Sequence, residues 1–118
     1  MDSPDKAIPR PVRKYRTRNL AFLVPRYGGQ TALADKIKPS KPTQPMISQI
    51  LGSAKKRRLF SNEEVRDIES KLGIPNGWMD GYDFKVAWPL VEKFQKLDRE
   101  GRDITNDIID FLNKQNHL

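Results

Sequence analysis

TQPMISQILGSAKKRR, residues 43–58, is the stretch on which the fold turns. Its front half repeats apolar residues at helical spacing, with Thr43 placed to open a helix from Gln44 to about Leu51 and Gly52 to close it. Pro45 does no harm that early, because the first four helix N–H groups have no intrahelical partner. At ~100° per residue, Met46, Ile47, Ile50 and Leu51 gather on one side and Gln44, Pro45, Ser48 and Gln49 on the other. One side packs on the protein. The other offers two carboxamides, a hydroxyl and a proline ring, all uncharged, where a merely solvated face would more often carry Lys and Glu. A carboxamide presents a donor and an acceptor together, which fits the N6/N7 edge of adenine in a major groove. Behind the helix, Lys55, Lys56, Arg57 and Arg58 repel one another unless anions lie nearby, and flanking phosphates would serve. The plainer alternative for this run is a solvated loop.

Charge is distributed unevenly around that stretch. Of the 118 residues, positions 1–60 hold fourteen Lys/Arg against three acids, and positions 61–118 hold eight against twelve. A polyanion would therefore be drawn to one end of the molecule. The length suits one domain, or one small domain with an appendage. The chain has no cysteine, so disulfides and thiolate metal ligation are excluded, in keeping with a reducing cytoplasm. Without an apolar run of ~20 residues, and with charge and proline at the N-terminus, the sequence predicts a cytoplasmic protein with no membrane partner.

Residues 1–16 carry three prolines and little periodic apolar content, so a flexible basic arm is expected there. Arg10, Arg13, Lys14, Arg16 and Arg18 would reach along a groove from it, or belong to a disordered tail. Thr17 is a candidate cap for a first helix toward Tyr27, kinked or ended near Val24 by Pro25. A second helix fits Gln30 to Ile37, broken by KPSKP at 38–42. Ser61 and Glu64 form a capping box for a fourth, which Gly73 ends, and Trp78, Met79 and Trp88 read as packing residues. A fifth is expected from Ala87 or Pro89 to Leu97, and a sixth from near Asp103 after a break at Gly101. No segment alternates like a strand, so the fold class is all-α. His117 has no second imidazole to work with, and Glu63 and Glu64 are explained as first-turn residues of a helix. No catalytic activity, metal, cofactor or small-molecule ligand is expected.

NLAFLVPRYGGQTALADKI, TQPMISQILG and NEEVRDIESKLGIPNGWMD, taken in order over residues 17–80, resemble the helix-turn-helix domain of the lambda-repressor-like (Cro/phage-repressor, XRE-type) regulators. Gln30, Leu33, Ala34 and Ile37, then Thr43, Gln44, Ile47 and Ser48, match the family pattern, with a longer turn at 38–42 than members usually have. The resemblance implies a bundle of four to five helices, followed by a two-helix extension over 81–118. It implies that Gln30 lies at the DNA backbone and braces Gln44, and that Gln44, Pro45, Ser48 and Gln49 reach bases. Thr31, Lys38, Lys41 and Thr43 would join Lys55, Lys56, Arg57 and Arg58 on the phosphates. The implied function is sequence-specific binding of double-stranded DNA by a transcriptional repressor of bacterial or mobile-element type, as a homodimer on an inverted-repeat operator. Leu90, Phe94, Ile108 and Phe111 would form the dimer interface, or would pack within the chain. The rival expectation is a helical interaction module, adaptor or antitoxin-like, with only loose polyanion attachment. RNA binding is disfavoured by the scarcity of aromatics for stacking on bases.

Overall fold

A stripe of buried side chains at Arg16, Asn19, Leu20 and Leu23, spaced three and four apart, makes the first helix. In this computed structural model, which describes residues 8–52 and 58–116, α1 runs Arg10–Arg26, with Pro11 in its first turn where no donor is missed. The expected arm is therefore corrected: residues 10–16 are helical, and Thr17 lies inside α1 rather than capping it. Pro25 is accommodated in the last turn, and Gly28 and Gly29, both at positive φ, turn the chain.

α2 (Gln30–Ile37) and α3 (Gln44–Ile50) follow as expected. α4 (Asn62–Leu72) begins at the Ser61–Glu64 capping box, in which Ser61 Oγ accepts from Glu64 N at 3.2 Å and Glu64 Oε1 accepts from Ser61 N at 3.1 Å. It ends at Gly73 in the left-handed region, where Ile74 N donates to Glu69 O at 2.8 Å. A 3₁₀ turn (Trp78–Asp80) leads to α5 (Phe84–Gln95), which starts before the expected Ala87 because Asp83 accepts from Lys85 N at 3.0 Å. α6 (Arg99–Asn116) likewise starts early: Asp98 accepts from Gly101 N at 2.7 Å, so Gly101 continues the helix instead of breaking it. The described residues form six α-helices and no strand.

The core joins α1 through α5. Leu20, Leu23, Leu33, Ile37, Ile47, Ile50, Val65, Ile68, Met79 and Phe84 are all fully buried, each worth roughly 1.5–3 kcal/mol relative to exposure. Phe22, Phe84 and Trp88 pack ring on ring, their centroids 5.4–6.3 Å apart. α5 thus belongs to the globule, and the boundary expected at residue 81 does not separate it. α6 contributes nothing to this core.

Two buried polar groups hold the first helix to the rest. Asn19 Nδ2 donates to Met79 O and Tyr82 O at 3.0 and 2.8 Å, and its Oδ1 accepts from Phe84 N at 3.2 Å. Arg16, expected on the arm, is corrected to a buried structural residue. It meets Asp80 through two contacts at 2.7 and 2.9 Å, Asn62 Oδ1 at 2.7 Å and Phe60 O at 3.2 Å. Arg66 Nη2 reaches the same Asp80 at 2.9 Å, so one carboxylate serves two guanidinium groups.

Candidate nucleic-acid interface

α3 is two-faced in the way its sequence requires. Ile47 and Ile50 are 0% exposed, Met46 and Leu51 are half-buried, and Pro45, Ser48 and Gln49 stand in solvent. α2 lies against it through the shared core of Leu33, Ala34, Ile37, Ile47 and Ile50. At the front of the pair Gln44 Nε2 donates to Gln30 Oε1 at 2.9 Å, which fixes the position of one carboxamide by another. Gln44 is half-buried by this arrangement. Among the described residues its oxygen meets no hydrogen-bond donor, and Ser48 and Gln49 are exposed. Thr43 caps the helix, and its N–H points to Met46 Sδ at 3.4 Å.

The cations divide into three groups. Arg10, Arg13 and Lys14, on the exposed side of α1, line a cleft of about 420 Å³ together with Thr17, Arg58 and Leu59. Arg58 joins that cleft to α3, because its backbone N–H donates to Gln49 O at 3.1 Å. Its side chain, however, is not a free phosphate ligand as expected: Arg58 Nη1 holds both oxygens of the buried Glu64 at 3.0 and 2.9 Å. That ion pair ties the segment after α3 to the first turn of α4.

A second group flanks the turn. Lys38 pairs with Asp35 at 2.8 Å on an exposed surface, an interaction of small worth that a phosphate could displace. Lys41 lines a different cleft with Glu63, Glu64 and Asp67, whose carboxylates disfavour a phosphate there. Thr31 is exposed on the first turn of α2. Arg18 forms the third group with Arg26, near Phe22 and Lys85 on another cleft. Lys55, Lys56 and Arg57 lie outside the described residues.

The helix-borne cluster of Arg10, Arg13 and Lys14 was masked in the sequence by the prolines around it. Its signal is the Arg16, Asn19, Leu20, Leu23 spacing, which a search for apolar residues alone passes over. Of the residues expected at a dimer interface, Leu90, Ile108 and Phe111 are exposed, but Phe94 is corrected: it turns inward at the helical spacing set by Val91.

Glu69 is wholly buried between α4 and the 3₁₀ turn. Its oxygens accept from Gly77 N and Met79 N, both at 3.0 Å. Arg66 Nε lies 2.9 Å from Glu69 Oε1 as an ion-pair contact without an aligned hydrogen bond. Burial pushes the Glu69 carboxyl up to about 7, against the opposing pull of Arg66 and the two backbone donors. Among the described residues no helix is long and apolar enough to cross a membrane. Comparisons with protein-family models, with curated proteins and with solved structures find no match for this chain.

Proposed function

We propose that this chain is a sequence-specific, double-stranded-DNA-binding transcriptional repressor of the helix-turn-helix kind, acting in the cytoplasm at the nucleoid. The observation that carries the proposal is the Gln30–Gln44 hydrogen bond at 2.9 Å, set at the head of a helix whose isoleucines are buried and whose Ser48 and Gln49 face outward. Amides fixed against each other keep their orientation on binding, so little side-chain entropy is lost when they meet a base edge. Gln49, Ser48 and Pro45 enter the major groove, and Gln44, steadied by Gln30, contributes its carbonyl oxygen. Phosphates on one flank meet Arg10, Arg13 and Lys14 from the rigid α1 rather than from an arm. On the other flank they meet Thr31, Lys38 and Thr43.

Selection of binding sites from a random duplex pool tests this. A defined motif is expected, and Gln49→Ala should lose about 1–3 kcal/mol on that motif while tolerating changes at one or two base pairs. If selection enriches no sequence, α3 does not read DNA.

A further inference from the structure

The cleft between α1 and the segment before α4 offers more than a duplex requires. Arg10, Arg13, Lys14 and Thr17 reach it from α1, and Arg58, Leu59 and Phe60 from a stretch more than forty positions away, so it exists only in the folded chain. Among the described residues no carboxylate lines it, and Arg10, Arg13 and Lys14 form no ion pair. Arg13 gives only its Nε to the chain, at 3.0 Å from Ile8 O. The acids met at this end of the molecule are already engaged, Asp80 by the buried Arg16 and Glu64 by Arg58 Nη1. Three cations without a counter-charge therefore border about 420 Å³, a volume within the range of sites that enclose small ligands.

Duplex phosphates explain that charge but not the shape. A DNA backbone is met on an open surface, and its phosphates gain nothing from an apolar wall. Leu59, 38% exposed, and Phe60 form such a wall beside the cations. A ligand that uses both halves has an anionic end and a flat, largely apolar body. One phosphate carries only about 1.5 to 2 negative charges, too few for three cations, whereas two linked phosphates match them.

We propose that this cleft binds a nucleoside diphosphate, its phosphates held by Arg10, Arg13, Lys14 and the Thr17 hydroxyl and its base laid on Leu59. The consequence for regulation rests on the DNA reading: the same three cations are the ones assigned there to the duplex backbone, so an occupied cleft withdraws them. Release of DNA then follows by mass action, without a change of shape. The cleft also adjoins the reading helix, through the 3.1 Å hydrogen bond from Arg58 N to Gln49 O.

Calorimetric titration of the full chain with ADP, without DNA or magnesium, tests the site by itself, and inorganic pyrophosphate is the second probe. ADP is expected to bind about tenfold more tightly than pyrophosphate, from the apolar contact with Leu59. Leu59→Ser should remove that advantage and leave pyrophosphate binding unchanged, with helix content intact by circular dichroism because Leu59 is partly exposed. Lys14→Gln should weaken both probes, whereas Lys93→Gln, on the exposed side of α5, should change neither. Absence of ADP binding at millimolar concentration, equal affinity for the two probes, or ADP binding that Leu59→Ser or Lys14→Gln leaves intact overturns the proposal. On a duplex obtained by selection, ADP at about nine times its dissociation constant should lower the affinity about tenfold. A selected duplex that ADP does not displace overturns the shared use of the cations. A chain that binds ADP as described but selects no duplex sinks the DNA reading alone.

Discussion

Glu69 makes the stability of this protein depend on pH in an unusual direction. A carboxyl held at about 7 in the folded state, against 4.5 when free, binds its proton more tightly in the native protein than in the unfolded chain. Between those two values the native state therefore carries more protons, and stability falls as pH rises. The contribution is complete below pH 4.5 and is lost as pH rises through about 7. With 1.36 kcal/mol per unit, the gap corresponds to about 3 kcal/mol between the two ends of the window. The cause is the burial of Glu69, which outweighs the opposing pull of Arg66, whose side chain is 42% exposed and shares its charge with water.

Urea unfolding at a series of pH values from 4 to 8, comparing the natural chain with Glu69→Gln, isolates this group, since the two proteins differ in no other residue. The glutamine oxygen cannot accept from both Gly77 and Met79 as the two carboxyl oxygens do. Leaving one buried N–H unpaired costs the variant about 1–3 kcal/mol at pH 5. That deficit should shrink or reverse by pH 8 as the natural protein loses its extra stability. A difference between the two proteins that stays constant, or widens, with pH would refute the assignment of the buried proton to Glu69.

Other consequences are open to direct measurement. Asp80→Ala leaves buried Arg16 without its main partner and should lower stability by about 3–5 kcal/mol in chemical unfolding, far more than removing the exposed Asp35–Lys38 pair. Arg10→Gln combined with Lys14→Gln should reduce the slope of log affinity against log salt by about 0.9 per cation lost, with the preferred sequence unchanged in a duplex titration. Gln30→Ala frees Gln44 from its hydrogen bond and should weaken specific binding by about 1 kcal/mol in the same titration, with the fold intact by circular dichroism.

Local chemistry made some elements legible and left others hidden. α2, α3 and α4 have start and stop signals within a few residues of each helix, and their buried faces repeat apolar residues at helical spacing even though α4 also buries Glu64 and Glu69, so periodicity finds them. α1 was obscured because its inward stripe begins with Arg16 and Asn19, whose partners Asp80, Met79 and Tyr82 lie sixty or more positions away. The starts of α5 and α6 were set by Asp83 and Asp98, two caps strong enough to outweigh the proline and glycine that suggested later beginnings. At the candidate site, the opposed faces of α3 followed from spacing alone. The engagement of Arg58 by Glu64 did not, because a cation beside three others looks free until the fold brings a buried carboxylate to it.

The three hydrogen bonds of Asn19 have a practical consequence for anyone wishing to cut the molecule down. A fragment stopped at Asp80 would discard Tyr82 and Phe84, two of the backbone groups that this amide grips, together with the rings of Phe84 and Trp88 that cover Phe22. Such a piece would expose the greasy flank of its own first helix and clump, so the smallest workable version of this protein must retain α5.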